Sequence, residues 1–382
     1  GVRPDLNSYS MSRRCPSSPH PRGVPMPVED LDTAIQRAAQ AIADADALMI
    51  CSGAGMGVDC GFGTFQGRYA GVWGPLQALR MDYQQMSDPD WFESDPRFAW
   101  AYWASSFNMY TSTAPHAGYS ILAEWGKQMP HDYFCVTSNI DGHWERVAGP
   151  ERVFEVHGAI THLQCIDDDG FGPIWRANAD EVASLKVPDW DLHPGEAVEM
   201  RIASKGAWGP WEPALVGSDG FSIVSSDGQP MTAHGVRHPG GVDLLRIPEE
   251  VKLPHGSENG SLARPNVLLF GDPKLNTTRI DLQRDSFEAW KAALPPEARV
   301  VIIEAGAGTT IPTIRDTAEE TVRGFPNAML VRINLDDGTV GHCFAGKSVA
   351  VSGVGALEGL TRIDSALRQI RTGADTKVSA NP

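Results

Sequence analysis

Basic residues are scarce beside acidic ones: 32 Lys and Arg against 48 Asp and Glu leave a formal charge of −16. That balance removes the usual basis for holding a polyanion, which is a cationic face that releases counterions, and no nucleic-acid partner is expected. Long apolar runs are also missing. None approaches the ~20 residues a bilayer-spanning helix needs, so no membrane partner is expected either. The six cysteines (Cys15, Cys51, Cys60, Cys135, Cys165, Cys343) include no C-x-x-C pair, and several sit inside apolar runs where a small buried thiol is the ordinary outcome. A reducing, cytoplasmic setting is the expectation. A last absence is the third glycine of the dinucleotide fingerprint G-x-G-x-x-G, because Val58 stands in its place.

What is present fits a folded chain of 382 residues, 42% hydrophobic and 21% charged, with room for one large or two ordinary domains. Residues 1–27 are rich in Pro, Ser and Arg, hold one acidic residue and show no periodicity, which predicts a disordered arm with the composition of a transit peptide or of tag sequence. Leu31, Ile35, Ala38 and Ile42 recur at helical spacing and lead into the apolar run Ala47 to Cys51. That run ends in Gly53-Ala54-Gly55-Met56-Gly57, the pattern of a buried parallel strand opening into a turn too tight for side chains, where backbone amides can meet an anion. An aromatic-rich segment follows, with a helix starting at Asp95-Pro96; core packing is the preferred reading of its rings, ahead of ligand contact.

Further strands are predicted at Tyr133 to Val136, ending in Thr137-Ser138-Asn139-Ile140-Asp141, and at Val153 to Val156, ending in His157-Gly158. In an open α/β sheet the crevice beyond the strand carboxyl ends carries the chemistry. Asn139, Asp141 and His157 would meet the glycine turn there, although each alone also fits a turn former, a helix cap or a structural histidine. The C-terminal part alternates strand (Val267 to Phe270), helix (286–294), strand (Val300 to Ile303), helix (311–322), strand (Met329 to Ile333) and helix (357–370). This predicts a doubly wound, Rossmann-like parallel sheet. Its domain is expected to comprise 28–158 plus 262–372, with a smaller inserted domain at 159–261 and a frayed tail at 373–382.

In motif order the chain resembles the sirtuin (SIR2-like) family of NAD-dependent protein deacylases. Gly53, Ala54, Gly55, Gly61, Phe65 and Gly67 are in register with the family's GAG-I-S-x-x-S-G-I-P-D-F-R-G. Thr137 to Asp141 is similar to T-Q-N-I-D, and His157-Gly158 to the catalytic H-G. Arg264-Pro265-Asn266-Val267 to Phe270-Gly271-Asp272, Gly306-Ala307-Gly308-Thr309 and Ile333-Asn334 extend the likeness over 45–158 and 262–370. The resemblance implies NAD as cofactor and an acylated peptide or small amide as partner. His157 would be the base and Asn139 would hold the ribose or an ordered water. Asp141 would meet the nicotinamide carboxamide and Phe65 would cover it. Gly53, Ala54 and Gly55 would cradle the diphosphate, Gly306 would also contact the cofactor, Asn334 would meet the adenine-side ribose, and Phe270 and Gly271 would meet the acyl substrate.

Four departures bear on the reaction. Thr64 and Gln66 replace Asp and Arg around Phe65, Ser138 replaces Gln, Asp272 replaces Glu, and of the family's four zinc-binding cysteines the insert has only Cys165. With no tetrahedral set among its histidines, structural zinc is not expected. The leading reading is deacylation of acyl-lysine by attack at the nicotinamide ribose C1′. An NAD glycohydrolase or ADP-ribosyltransferase, and a catalytically silent NAD-binding module, stay open beside it.

Overall fold

The computed structural model describes residues 29–63, 80–81, 83–168, 170–204, 207–257 and 260–378. The arm expected at 1–27 and the positions Thr64, Phe65, Gln66, Gly67 and Trp73 lie outside the described residues.

Helix α1 (Leu31–Ala43) is capped by Asp30, whose carboxylate accepts from the Thr33 amide at 3.0 Å, and it buries Ala34, Ile35, Ala38, Ala39 and Ile42 on one face. It feeds β1 (Ala47–Ser52), buried along its whole length. Helix α2 (Pro96–Ser112) starts as its sequence requires, with Asp95 accepting from the Phe98 amide at 3.1 Å and Pro96 at the first helical position. Then come α3 (Ala117–Lys127), β2 (Tyr133–Thr137), α4 (His143–Ala148), β3 (Val153–Glu155), β4 (Gly158–Cys165) and the short β5 (Trp175–Arg176). After the insert follow β6 (Ala263–Val267), α5 (Thr278–Ala293), β7 (Val300–Ala305), α6 (Thr313–Gly324), β8 (Met329–Asn334), β9 (Ser348–Ser352) and α7 (Ala356–Val378).

Six strands form one parallel sheet in the order β9-β8-β7-β1-β2-β3. Leu48 and Ile50 of β1 face α1, α3 and α7, while Ala47, Met49 and Cys51 face α5 and α6. Burial on both faces is why β1 reads as a continuous apolar run and not as an alternating one. The chain winds from β1 through β2 to β3, then returns to β7 on the other side of β1 and continues outward. The β1–β7 boundary is therefore the topological switch point.

Two expectations need correction. The strand expected at Val267 to Phe270 runs over Ala263–Val267 and pairs antiparallel with β4 in a separate three-stranded sheet, so it never joins the parallel one. Helix α5 begins at Thr278, not 286, because its first turns expose polar side chains and bury only the Ile280–Gln283–Phe287 stripe, which leaves a faint apolar period. Residues 242–247 are irregular, yet Leu244, Leu245 and Ile247 are buried. Strand β9 was not anticipated; it lies at the sheet edge, where only Val349 and Val351 are buried, so SVAVS lacks the continuous apolar run of a central strand.

The insert carries a five-stranded sheet whose central strands are Ala197–Arg201 and Glu212–Val216. Its core is continuous with α2, which buries Phe98, Trp100, Tyr102, Trp103 and Phe107 against it. The rings of α2 thus pack the insert, in line with the preferred core reading. Arg201 stacks between Trp208 and Trp211, Arg237 covers the other face of this row at Trp211, and Arg246 lies over Trp208. Arg246 also bonds the α2 cap Asp95 through Nε at 2.7 Å. Cys165 is buried at the end of β4. Three residues on, Asp168 Oδ1 accepts from the amides of Gly170, Phe171 and Gly172 at 2.7, 3.0 and 2.8 Å, and its Oδ2 from Asn276 Nδ2 at 2.9 Å. Polar and cation–π contacts therefore pin this module to the sheet domain.

Candidate functional site

At the switch point the turns leaving β1 and β7 pack backbone against backbone. A Cβ on Gly53 would come within 2.7 Å of Ala307 Cα, one on Gly55 within 2.7 Å of Gly306 Cα, and one on Gly306, whose φ is +64°, within 2.3 Å of the Gly55 carbonyl carbon. Only glycine permits this approach. The Gly53 amide donates to Ala305 O at 3.1 Å and the Gly55 amide to Gly306 O at 2.9 Å. This corrects the expected cradle, because two of its three amides already serve the β7 turn. Ala54 begins a short 3₁₀ helix, Ala54–Cys60, for which Gly53 is the N-cap without a side-chain bond.

On the other side of β1 a buried hydroxyl network sets the end of β2. Trp144 Nε1 donates to Ser52 Oγ at 2.7 Å, Ser52 Oγ to Thr137 Oγ1 at 2.8 Å, and the Asn139 amide to Thr137 Oγ1 at 3.1 Å. Asn139 is half-buried, and the buried Tyr119 hydroxyl lies against its side chain.

Asp141 is 5% exposed and its Oδ1 accepts from the His143 amide at 2.8 Å. Burial pushes its carboxyl up to about 6, against the weaker pull of that amide and of Arg146. Around it stand Tyr110, Tyr119, Cys60, Phe62 and His143. His143 is fully buried, with Nε2 on Thr113 O at 3.2 Å, and burial lowers its imidazole to about 4.

His157 lies where β3 ends and β4 begins. Gly158 follows with φ +75°, and a Cβ there would strike Asn266 O at 2.1 Å, so the turn that presents the imidazole requires glycine. Burial depresses the His157 pKa, with the Ser138 backbone opposing it, and this favours a neutral ring at neutral pH. The His157 carbonyl accepts from the Leu268 amide at 2.9 Å, which brings the segment after β6 alongside. There Phe270 packs edge-on against Tyr83 at 6.1 Å, and Gly271 takes a left-handed turn in the open. Asp272 is not free for a ligand, since its carboxylate meets the buried Arg264 at 2.6 Å.

Asn334 is also occupied. Its Nδ2 donates to Ala307 O at 3.0 Å, while Oδ1 accepts from the Asp336 and Asp337 amides at 3.0 and 3.1 Å. In this state it is a turn clasp and not a group extended toward a ribose. The described part of the predicted set therefore divides in two. Asn139, Asp141 and His157, with Phe270 and Gly271 on the segment alongside, belong to the strand ends on one side of β1, and Gly53, Ala54, Gly55, Gly306 and Asn334 to the turns at and beyond the switch point. Phe65 falls outside the described residues.

Sequence reasoning missed Ser52, Trp144, Tyr119, His143 and Arg315. Of these only Arg315 left a signal: it is an arginine on the apolar stripe of α6 beside Ile314, Ala318 and Val322. Among the described residues no three His, Cys, Asp or Glu side chains cluster as a metal site would need.

The Sir2 family model matches residues 53–186. The "NAD-dependent protein deacylase" of Aquifex aeolicus is 26% identical over 120 residues, which is 31% of this chain and 47% of that protein. The "NAD-dependent protein deacylase Sir2" of Mycolicibacterium smegmatis is 29% identical over 133 residues, covering 35% and 51%. The chain thus spans about half the length of the curated relatives it matches. Among solved structures, a Sir2 homolog–NAD complex superposes with a TM-score of 0.51 at 16% identity, over 88% of this chain and 94% of the other. At that identity the likeness establishes the fold alone, the doubly wound sheet with its smaller module. The segment matched by the Sir2 family model carries both the glycine turn and His157, and the fold agrees with it: over residues 53–186 this chain is similar to the Sir2 family.

Proposed function

We propose that this protein consumes NAD by substitution at the nicotinamide ribose C1′, with an acyl-lysine amide as acceptor, and so acts as an NAD-dependent protein deacylase. One observation carries the reading most: a half-buried, neutral imidazole, His157, shares the carboxyl edge of the sheet with Asn139 and the elevated carboxyl of Asp141. The names of the relatives support the same chemistry.

The residues present fit NAD. The close-packed glycine turns stand at the switch point, where open α/β sheets hold nucleotides, and Asn139 with the Tyr119 hydroxyl places polar atoms on the other side of β1. NAD supplies an activated C1′ bond whose leaving group is nicotinamide. His157, neutral at neutral pH, would take a proton from a ribose hydroxyl. Asn139 would hold the ribose or a water against it. Asp141, retaining a proton below about pH 6, can donate to as well as accept from a carboxamide.

Incubation with NAD, with and without an acetylated histone peptide, tests this. Peptide-dependent nicotinamide release that is lost in His157→Ala supports deacylation. Release without peptide transfers the assignment to a glycohydrolase or ADP-ribosyltransferase, and binding without release makes the protein a silent NAD-binding module.

A further inference from the structure

The Ala307 carbonyl, one residue beyond the left-handed Gly306, accepts from two side chains on two different elements. Arg315 Nε of α6 reaches it at 3.1 Å and Asn334 Nδ2 at the end of β8 at 3.0 Å. The same two side chains also grip the loop after β8: Arg315 Nη2 donates to Asp337 O at 2.6 Å, and Asn334 Oδ1 takes the Asp336 and Asp337 amides. The result is a closed ring of hydrogen bonds joining the β7 turn, α6 and the β8 loop. Arg315 is 8% exposed, with Asp337 Oδ2 at 3.4 Å and the buried Glu304 carboxylate at 3.9 Å to hold its charge.

We infer that Arg315 is a positioning residue for the nucleotide half of the cofactor, acting through Ala307 to fix the β7 side of the crevice; this rests on the proposed NAD chemistry. The mechanical link is short. Gly306 and Gly55 are packed so closely that a Cβ on either would overlap the other's backbone, so Ala307 cannot shift without disturbing the β1 turn. Gly308 comes next, and a Cβ there would meet nothing within 4 Å, which marks the side open to a ligand. A guanidinium suits the task because its fixed fork serves two carbonyls in two directions, whereas one lysine ammonium on a flexible stem does not hold that geometry.

The test uses the full chain as wild type, Arg315→Met, Arg315→Lys and Asn334→Ala, with two readouts. NAD binding is titrated calorimetrically, and amide hydrogen exchange over 305–310 is followed without NAD. Loss of a hydrogen-bonded charged group should weaken NAD by about 10-fold or more in Arg315→Met, with turnover at saturating NAD within about twofold. Exchange should accelerate at 305–310 but not in β2 or α3. Arg315→Lys should recover only part of the affinity. Because both side chains act on one carbonyl, Arg315→Met with Asn334→Ala should lose less affinity than the product of the single losses.

Wild-type-like affinity in a folded Arg315→Met protein overturns the proposal, as does exchange that rises equally throughout the chain. Should Arg315→Met fail to fold, Arg315→Lys decides by the same two readouts. A wild type that binds no NAD sinks the cofactor reading instead, and the exchange experiment still judges whether Arg315 holds the turn.

Discussion

The guanidinium of Arg201 lies between two indoles, 4.3 Å from the Trp208 ring centre and 4.5 Å from that of Trp211. Arg246 sits 3.8 Å over Trp208, and Arg237 sits 4.1 Å over Trp211, so cations and rings alternate through the insert and end at the α2 cap. With the Asp168 carboxylate gathering three amides and Asn276, this row cross-links the module from within.

Trp208→Ala removes the ring shared by Arg201 and Arg246. Stability should fall by about 2–3 kcal/mol, read from the urea midpoint. A strong chelator should leave the Tm of the wild-type protein where it was; a drop of several degrees would mean that a metal holds the insert after all.

Asp141 makes stability pH-dependent. Its folded pKa of about 6 exceeds the ordinary value, so the folded state holds the proton more tightly than the unfolded chain. Stability from this group is therefore undiminished below about pH 4, falls as pH rises, and reaches its full penalty above about pH 6. Asp141→Asn keeps the acceptor for the His143 amide and does not ionise. Its advantage over wild type should grow by about 2–3 kcal/mol between pH 4 and 7.5. Denaturant curves at the two pH values measure this, and parallel behaviour of the two proteins would refute it.

His157 carries a depressed pKa, so the ring stays neutral down to lower pH than a free imidazole. The acid limb of nicotinamide release, plotted as kcat against pH, should lie below about pH 6.5. A limb above that value would assign it to another group.

Gly306→Ala places a methyl 2.3 Å from the Gly55 backbone and forces a left-handed φ on alanine. The expected cost is about 2–4 kcal/mol from strain and overlap together. NAD affinity should fall further than in Gly308→Ala, where the space is open. Equal affinities in the two variants would show that the turn contact does not matter to binding.

Much of this architecture was legible beforehand for identifiable reasons. The run Ala47 to Cys51 announces a strand covered on both faces, and Asp95-Pro96 announces a helix start, because both signals are local. His157-Gly158 and Asn139 to Asp141 could be placed at strand ends from their positions alone. The partners of those ends were hidden. Nothing near Ser52 predicts that Trp144 will bond it from 92 residues away. Likewise no spacing rule tells that Gly55 is a glycine because Gly306, from the far half of the chain, presses against it. Asn334 shows the same limit: its residue type suits a ribose contact, but its hydrogen bonds go to Ala307, Asp336 and Asp337.

The junction at Gly158 has a consequence for how this molecule can move. The chain enters the insert along β4 and leaves along β6, and the two are joined as an antiparallel ribbon from Gly158 opposite Val267 onward. Both doorways of the module thus coincide at His157, whose carbonyl is bonded to Leu268. A swing of the module about that ribbon would displace its far strands most and the imidazole least.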